Sequence, residues 1–242
     1  MSTAQPSEQS RSGATTNPPC SETSAARLGQ PEYREAMESQ LVVVRHGQTE
    51  WSRTGRHTGR TDIDLTEEGQ AEATRAGVAL RPWGFAERFV SPLRRATQTA
   101  QLIQMARPYA GDEPVTFDDD LMEWDYGTYE GRTNEAITAE EPGWSKWQGT
   151  LAEGESANDV GQRADRAIAR MANAAVAGPV LVVAHGHLCS ILIARWLGLD
   201  AADGRLFPLA TATVSVLGEK RGGRVLRLLN RSCDESSEIQ PA

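Results

Sequence analysis

No stretch of the 242-residue sequence approaches the roughly 18 consecutive apolar residues that a membrane-spanning helix needs, so a membrane partner is not expected. Cysteine is scarce as well. The three cysteines, Cys20, Cys189 and Cys233, are an odd number and too widely spaced for a disulfide framework or a metal-binding knuckle. Free cysteines suit a reducing compartment, and we expect a cytoplasmic location.

Positive charge is also limited. The net charge of −8 excludes the basic surface on which a general nucleic-acid binder depends, although small anions remain possible ligands. Two lysines stand beside 23 arginines. Because arginine is the ordinary cation of this chain, an arginine on its own is weak evidence for a phosphate site. Its position in the fold must show whether it belongs to one.

The two ends of the chain are poor in the residues that build a core. Residues 1–40 contain no Val, Ile, Phe or Trp and cannot offset the entropy of ordering, which predicts a disordered extension. This segment has neither the apolar centre of a secretory signal nor the charge pattern of a transit peptide. Residues 233–242 are polar and acidic and predict a flexible tail. One globular domain is expected between them, over residues 41–232.

Within this domain, aliphatic runs alternate with helical patterns. The predicted strands begin at or near residues 41, 88, 115, 180, 212 and 224. The predicted helices cover residues 67–81, 92–105, 157–177 and 190–197. Thr66 and Ser156 are expected to cap the first and third helices. The alternation predicts an α/β fold, a three-layer α/β/α sandwich with a mostly parallel central sheet, and its last two strands are expected to be antiparallel edge strands joined at Gly222 and Gly223.

The segment from Asp118 to Glu141 is strongly acidic, with nine acidic residues against one basic residue. We expect it to form a loop and part of a cap. Aromatic residues in and after this segment are expected to wall a pocket, although the last two would equally pack a cap helix onto the core: Trp124, Tyr126, Tyr129, Trp144 and Trp147.

Two of the predicted strands end in histidine. The run LVVVR brings Arg45 and His46 to its polar end, and the run VLVVAHGH brings His185 and Gly186. In parallel α/β sheets, ligands bind at the carboxyl ends of the strands. A neutral imidazole can accept a phosphoryl group when arginines stabilise the charge on its oxygens. The pattern therefore indicates a site that handles phosphoryl groups.

Five separated motifs stand in order along residues 41–187: RHGQTEWS, TGRTDIDLTEEG, SPLRRATQTA, EWDYGTYEG and VVAHGH. Together they resemble the motifs of the histidine phosphatase superfamily, which contains phosphoglycerate mutases and many phosphatases. The variants TGRTD, EWDYG and HGH are most similar to a branch that holds a bacterial acid phosphatase and a fungal sedoheptulose bisphosphatase. The resemblance implies a phosphoglycerate mutase-like fold.

The resemblance also implies a role for each matching residue. His46 corresponds to the nucleophile, and Arg45, Arg95 and His185 correspond to the groups that hold the phosphoryl oxygens. Glu123 resembles the acid that protonates the leaving oxygen and afterwards activates the water that hydrolyses phosphohistidine. Burial or a neighbouring carboxylate such as that of Asp125 would favour the protonated form that this role requires.

Six further residues are expected to contact substrate: Ser52, Thr58, Gly59, Tyr126, Gly186 and His187. Thr58 and Gly59 match the family's substrate-contacting pair. Ser52 stands where asparagine is commoner in the family, and its hydroxyl could still donate to a phosphate oxygen. For His187, capping of the following helix is the alternative.

Several other polar residues have simpler structural roles. Asp62 and Asp64 are expected in turns and caps rather than in catalysis, and His57 is expected to be exposed on its loop. A metal site is the alternative to a phosphoryl site, and its ligands would be the two histidines of HGH, His46 and acidic side chains. We expect no metal and no cofactor, because a metal would compete with the arginines for the same electrostatic role.

Hydrolysis is the expected reaction. A phosphoglycerate mutase of this family carries a further basic clamp just past the acid motif, where this chain has Asn134, and Lys146 is the only basic residue between Thr133 and Arg163. We therefore expect a metal-independent phosphomonoester hydrolase that forms phosphohistidine and acts on small phosphorylated metabolites. The oligomeric state is left open.

Three alternatives accompany this expectation. The first is phosphoryl transfer of the phosphoglycerate mutase type. The second is a non-catalytic module that binds phosphorylated ligands. The third is a sugar bisphosphatase, which would need basic residues to hold its second phosphate, with three candidates: Arg56, Arg60 and Arg132.

Overall fold

The computed structural model describes Met1 and residues 40–108, 111–149, 151–234 and 238–241. The chain divides into two units, Met1–Glu35 and Ala36–Ala242. Apart from Met1, the first unit lies outside the described residues, as does the predicted disordered extension up to residue 39. All the strands and helices that the structure describes belong to the second unit.

Six strands form one sheet: β1 (Leu41–Arg45), β2 (Glu87–Val90), β3 (Val115–Phe117), β4 (Val180–Ala184), β5 (Val214–Lys220) and β6 (Gly223–Arg231). Their order is β3-β2-β4-β1-β5-β6. The first four pair in parallel, whereas β5 is antiparallel to β1 and β6 is antiparallel to β5. The predicted mostly parallel sheet is confirmed.

The described residues also form six α-helices: α1 (Glu50–Arg53), α2 (Glu67–Ala79), α3 (Arg94–Met105), α4 (Asn134–Glu140), α5 (Ala157–Ala174) and α6 (Gly186–Trp196). Two predicted caps are present. The Thr66 hydroxyl accepts the Gly69 N–H at 3.0 Å, and Ser156 forms a reciprocal capping box with Asp159. No helix in the described part of the chain is long and apolar enough to cross a membrane.

Alternate side chains of β1 face two separate apolar layers. Leu41 and Val43 belong to a cluster with residues of α5 and α6. Val42 and Val44 belong to a second cluster with residues of α2 and α3. Because successive side chains of a strand point to opposite faces, a strand covered by helices on both sides is apolar throughout. The predicted three-layer α/β/α sandwich is confirmed.

The acidic segment contains more regular structure than its sequence indicates. Short 3₁₀ turns cover Asp119–Leu121 and Gly127–Tyr129, and α4 follows. Thr133 caps α4, because its hydroxyl accepts the Ala136 N–H at 3.2 Å. The expectation of a loop is therefore wrong for residues 134–140. The acidic composition indicated a loop, although the segment forms an ordinary capped helix.

Helix α6 begins at Gly186, four residues before the predicted start. His185 precedes it and makes no side-chain cap. The N–H groups of His187 and Leu188 instead donate to the carboxylate of Glu123, which lies 64 and 65 positions away in sequence. A cap supplied by a distant loop leaves no signal in the local sequence, and this explains the error.

The β5–β6 hairpin differs from its prediction by one residue. Arg221 and Gly222 have φ angles of 53° and 74°, as a two-residue turn with both central residues in the left-handed region requires. Gly223 is already the first residue of β6. β5 lies inside the sheet, between β1 and β6, so that only β6 is an edge strand on this side.

Part of the expected flexible tail packs against the core. Cys233 and Ile239 are buried in the same cluster as Trp83. The indole N–H of Trp83 donates to the Ile239 carbonyl at 2.6 Å, and the Ile239 N–H donates to the Ala79 carbonyl at 2.8 Å. One apolar residue in an acidic stretch is enough to dock these tail residues beside α2.

Replacement of Ile239 tests this docking. Ile239→Ala should lower the free energy of unfolding by about 2 kcal/mol, the lower end for truncating a buried isoleucine, because the docked residue lies near a terminus. The measurement is urea denaturation followed by fluorescence. Gln240→Ala, at an exposed neighbouring position, is the matched control and should change stability by no more than about 0.5 kcal/mol. Equal midpoints for the two variants would contradict the docking.

Candidate active site

The carboxyl ends of β1 and β4 lie side by side and present the two strand-end histidines together. Arg45 is the partner of Ala184 in the parallel register, and the His46 N–H continues the ladder by donating to the Ala184 carbonyl at 2.9 Å. The rings of His46 and His185 consequently stand 5.2 Å apart. The parallel register of β1 and β4 therefore creates the centre of the site.

One hydrogen bond sets the tautomer of His46. Its Nδ1 lies 2.7 Å from the Gly47 carbonyl oxygen. Because a carbonyl only accepts, Nδ1 carries the proton and Nε2 keeps its lone pair. His46 is 4% exposed and lines a cavity. The ring is thus a neutral imidazole with an unprotonated nitrogen available.

Close backbone packing holds the loop that follows. A Cβ on Gly47 would stand 2.3 Å from the Gly69 carbonyl oxygen, and one on Gly69 would stand 2.1 Å from that of Gln48. Side chains at these two positions are excluded, since real Cβ atoms do not approach backbone atoms so closely. The Gly47 N–H also donates to the Thr99 hydroxyl at 3.0 Å. The loop after β1 is therefore fixed against α2 and α3.

The Arg45 guanidinium lies between the cavity and α6. Nη1 donates to the Leu209 carbonyl at 2.5 Å, while the buried Nε has no hydrogen-bond partner among the described residues. A Cβ on Gly186 would lie 3.2 Å from both Cζ and Nε of Arg45. Gly186, expected as a substrate contact, therefore also leaves room for the arginine beside it.

Arg95 and His185 form a buried layer next to the cavity. Arg95 donates from Nε to Nδ1 of His185 at 3.1 Å, and its Nη groups donate to the carbonyls of Thr58, Gly59 and Thr61. Nδ1 of His185 is therefore the acceptor, and its Nε2–H donates to the Ser91 hydroxyl at 2.7 Å. In this arrangement Arg95 also organises the 58–61 loop, a task that its sequence motif did not indicate.

Burial and positive charge keep both histidines neutral. Burial lowers the pKa of His46 well below 6.5, and Arg95 and Arg45 lower it further. Burial and then Arg95 lower the pKa of His185 in the same way. A protonated imidazole beside these guanidiniums would place like charges together in a low-dielectric region. His46 therefore keeps its lone pair in mildly acidic solution.

The carboxylate of Glu123 lies at the N-terminus of α6. It accepts N–H groups from Trp124 and Leu188 at 2.9 Å on Oε1 and from His187 at 3.1 Å on Oε2. The Asp125 carboxylate was expected to favour protonation of Glu123, but its Oδ1 instead accepts the Gly127 N–H at 2.9 Å. Glu123 is 4% exposed and also lines the cavity. Oε2, which accepts only one of these N–H groups, can accept a further hydrogen bond.

Arg163 positions the backbone around Glu123, and sequence reasoning missed it. Its guanidinium donates to the carbonyls of Asp120, Met122 and Glu123 and pairs with Glu155 at 2.8 Å. The signal was present, because Arg163 stands on the buried face of α5 beside the apolar positions. A charged residue on such a face is buried only when it is fully paired.

The cavity has a volume of about 290 Å³. Three of the eleven predicted site residues, Arg95, His185 and Gly59, are buried without lining it. The other eight line it: Arg45, His46, Ser52, Thr58, Glu123, Tyr126, Gly186 and His187. Within the described part of the chain, no group of three or more His, Cys, Asp and Glu side chains is arranged to hold a metal ion.

Several side chains differ from their expected surroundings. His57 is 6% exposed rather than exposed on its loop, since its ring packs 4.7 Å from that of Tyr126 and its Nε2 lies 3.1 Å from Oδ1 of Asn134. The Ser52 hydroxyl forms a capping box with Thr49 at the start of α1. Ser52 thus lines the cavity, and its hydroxyl is already hydrogen-bonded to the Thr49 backbone at the start of α1.

Of the three arginines considered for a second phosphate, only Arg56 lines the cavity. Arg60 lies 3.5 Å from Glu155 and Arg132 lies 2.7 Å from Glu140, both in ion pairs. The structure adds cavity residues that the motifs did not include: Trp147, Ser190, Gly204, Arg205, Pro208 and Leu209.

The turn and cap roles expected for Asp62 and Asp64 are present. The Asp62 carboxylate accepts the Arg94 N–H at the start of α3 at 2.7 Å, and Asp64 pairs with the Arg94 side chain. Both therefore hold the N-terminus of α3, the helix that carries Arg95.

The cap segment, residues 131–149 and 151–155, is anchored by backbone hydrogen bonds at both of its ends. Gly131 donates to the His57 carbonyl at 2.8 Å, and the His57 N–H donates to the Arg132 carbonyl at 2.9 Å. Further along, residues 125–128 and 152–155 are joined by two backbone hydrogen bonds of 3.0 and 3.1 Å. The Tyr126 hydroxyl meets Nδ1 of His187 at 2.5 Å across the cavity floor. Predicted aromatic walls are thus present at Tyr126 and Trp147, whereas Trp124 is buried behind them.

A neutral histidine with a free Nε2 lies beside a partly unpaired arginine at the strand ends of a parallel α/β sheet, an arrangement that suits the handling of phosphoryl groups. The chain belongs to the histidine phosphatase superfamily (branch 1), whose sequence model matches residues 41–232. The superfamily suggested by the motifs is confirmed.

Two similar proteins and one solved structure agree with this assignment. An acid phosphatase of Mycobacterium tuberculosis is 39% identical over 191 residues, which cover 78% of this chain and 91% of that protein. The sedoheptulose 1,7-bisphosphatase of Saccharomyces cerevisiae is 36% identical over 185 residues, 65% of this chain and 67% of that protein. A solved structure of a Mycobacterium tuberculosis open reading frame product has a TM-score of 0.73 at 37% identity and covers 80% of this chain and 98% of that one. Together with the family, these relatives support a phosphatase.

The electrostatics of the site predict how its histidines titrate. All four histidines of the chain have lowered pKa values, that of His57 reaching about 4 through desolvation and then Lys146. NMR titration of the imidazole resonances should therefore show no histidine titrating near 6.5. Because the folded-state values lie below the unfolded ones, the unfolded chain binds more protons below about pH 6.5, and the free energy of unfolding should fall there as the pH drops. A histidine that titrates at its usual value would contradict this electrostatic picture.

The contact between Gly186 and Arg45 gives a second prediction. Gly186→Ala should press its Cβ on the guanidinium and lower phosphatase kcat/KM by about tenfold, given that a displacement of about 1 Å can cost about a hundredfold. Steady-state kinetics is the measurement. Gly84→Ala is the control, because a Cβ there meets nothing within 4 Å, and it should leave kcat/KM unchanged. Full activity in Gly186→Ala would show that this close packing is unimportant.

Proposed function

We propose that this chain is a metal-independent phosphomonoester hydrolase that acts on small phosphorylated metabolites through a phosphohistidine intermediate on His46. The observation that carries the proposal is the hydrogen bond from Nδ1 of His46 to the Gly47 carbonyl. It leaves Nε2 unprotonated at the cavity, as a nucleophile must be. The lowered pKa of His46 extends this state into acid solution.

The proposed reaction has two displacements. In the first, the lone pair of His46 Nε2 attacks phosphorus, the bond from phosphorus to the ester oxygen breaks, and the Glu123 carboxyl gives its proton to the departing alcohol. In the second, water attacks the phosphohistidine, its proton passes to the Glu123 carboxylate, and the phosphorus–nitrogen bond breaks. The products are an alcohol and inorganic phosphate, and the enzyme returns to its first state.

Positive charge for the transferred phosphoryl group is supplied by arginine. Arg45 keeps a buried N–H without a partner among the described residues, in the wall beside His46. Arg95 is fully buried, lies against His185 and contributes its charge from behind the wall. Fixed guanidiniums stabilise the spread charge of a transferring phosphoryl group without any reorganisation of water. This arrangement supports catalysis without a metal ion.

Sugar bisphosphate hydrolysis is the second candidate, because Arg56 lines the cavity and a bisphosphatase is among the relatives. Mutase-type transfer and binding without turnover are the remaining alternatives, and product analysis separates all of them. For the location we propose the cytoplasm, where the free thiols of Cys189 and Cys233 stay reduced.

Hydrolysis of para-nitrophenyl phosphate tests the proposed function. Wild-type protein should turn over this substrate in excess EDTA, with activity retained below pH 6.5 because His46 stays neutral there. His46→Ala should be inactive, and Glu123→Gln should lose about a hundredfold or more in kcat through loss of the acid. Glu67→Gln, at an exposed position on α2, is the control and should match wild type.

Trapping the intermediate completes this test. Rapid quenching should yield a phosphorylated protein whose phosphoryl group is stable to alkali and labile to acid, as expected of phosphohistidine, and His46→Ala should yield none. Inactivity in EDTA that is restored by a metal, or turnover without any phosphoprotein, would overturn the proposal.

A further inference from the structure

The Arg45 guanidinium has few protein contacts that fix its position. Among the described residues, the Leu209 carbonyl is its only hydrogen-bond partner, and no carboxylate forms an ion pair with it. An arginine side chain has much rotamer freedom, so a single acceptor fixes the guanidinium only if that acceptor is itself fixed. The position of Leu209 therefore decides where the guanidinium lies relative to His46.

Leu209 belongs to the 209–213 turn, which packs against the end of β1. The Ala212 N–H lies 3.1 Å from the Arg45 carbonyl oxygen and 3.2 Å from that of His46. Ala212 is buried and has a φ angle of 50°, a conformation that is uncommon for residues other than glycine. Such a conformation persists only where the surrounding contacts enforce it. The turn is therefore fixed directly beside the nucleophile.

One carboxylate joins this turn to the loop that follows His46. Glu72, on α2, accepts the Thr211 hydroxyl at 3.0 Å on Oε1 and the Gln48 N–H at 2.8 Å on Oε2. Thr211 lies in the 209–213 turn, and Gln48 lies in the loop after His46. The two oxygens of Glu72 therefore hold two segments that are far apart in sequence, one beside Arg45 and one beside His46.

Glu72 and Thr211 lie outside the cavity. Neither residue lines it, and both are partly exposed. Water is therefore available to these polar groups, so their hydrogen bonds are not required merely to compensate for burial. The Glu72 charge also reaches the site: burial lowers the pKa of the Arg45 guanidinium, and Glu72 is among the groups that oppose this change. These contacts connect α2 to the catalytic arginine without any contact to substrate.

We propose that Glu72 and Thr211 are positioning residues: their hydrogen bond ties the 209–213 turn to the nucleophile loop and so fixes the Arg45 guanidinium beside His46. The inference rests on the proposed function and deepens it. Arg45 stabilises the charge of the phosphoryl group in transfer, so a displaced guanidinium weakens the transition state more than the bound substrate. Loss of the link therefore lowers kcat and leaves KM nearly unchanged.

Steady-state kinetics with para-nitrophenyl phosphate tests this inference. Glu72→Ala and Thr211→Val should each lower kcat by about tenfold and change KM by less than about twofold, given that a displacement of about 1 Å can cost about a hundredfold. The double variant Glu72→Ala/Thr211→Val should lose no more than Glu72→Ala alone, because both changes break the same link. Losses that multiply in the double variant would contradict the link.

Conservative variants separate positioning from folding. Glu72→Gln keeps both contacts, because its amide oxygen accepts the Gln48 N–H and its amide N–H donates to the Thr211 hydroxyl, which also accepts. Glu72→Gln and Thr211→Ser should therefore retain most of kcat. A purely structural role would lower the free energy of unfolding of Glu72→Ala and Thr211→Val and leave kcat of the folded protein unchanged, and this result would overturn the inference.

Two matched controls lie on the same helix. The Thr74 hydroxyl is exposed and donates to the Gln70 carbonyl within α2, and Glu68 is exposed and pairs with Arg75. Thr74→Val and Glu68→Ala make the same chemical changes as the test variants away from the nucleophile loop. Both should match wild type in kcat and KM.

Binding of orthovanadate keeps the two proposals distinguishable, because it requires no turnover. Calorimetry should show a Kd for this transition-state analogue that is about tenfold higher in Glu72→Ala and Thr211→Val than in wild type, matching the loss in kcat. If wild type hydrolyses no ester and vanadate binding still depends on both residues, the proposed hydrolysis fails and the positioning role is retained. Equal Kd values in wild type and both variants, or no binding to wild type, would overturn the positioning role.

Discussion

The site depends on one contact, the carboxylate of Glu123 at the first turn of α6. The N-terminus of a helix offers unpaired N–H groups, and the carboxyl oxygens of Glu123 accept those of His187 and Leu188. The same contact brings the acidic segment to the strand ends, because α6 begins directly after His185. Arg163 holds the backbone of that segment from the other side. Glu123, His185 and the start of α6 therefore lie together in the fold.

A second constraint is the balance of charge in the buried layer. Arg45 and Arg95 occupy a region of low dielectric together with two imidazoles, and burial and the cations together keep the rings uncharged. Neutral rings can then serve as hydrogen-bond acceptors: Nδ1 of His185 accepts from Arg95. Protonated histidines would repel the arginines, whereas neutral His185 accepts a hydrogen bond that orients Arg95. The proposed nucleophilic role of His46 and the packing of the buried layer thus require the same neutral state of the rings.

The sequence was sufficient for the parts of the fold and the site that depend on local pattern. Apolar runs predicted the strands, hydroxyl residues predicted two helix starts, and the strand patterns placed His46 and His185 at the carboxyl ends of strands. What the sequence did not predict depends on contacts between distant segments. The start of α6 is set by Glu123, the burial of His57 by Tyr126 and Asn134, and the ion pair of Arg60 by Glu155. The wall from Gly204 to Leu209 could not be assigned to the cavity, because no motif marks a segment that contributes mainly carbonyls and apolar surface.

The attachment of the cap segment has a consequence for how this chain can change over time. Backbone hydrogen bonds fix it where Gly131 and Arg132 meet His57, and again where residues 125–128 meet residues 152–155. The stretch between these two anchors can lengthen, shorten or exchange side chains while the strand ends stay in place. The residues proposed for catalysis lie outside this stretch, so mutations within it can alter the cavity wall without rebuilding the strand ends.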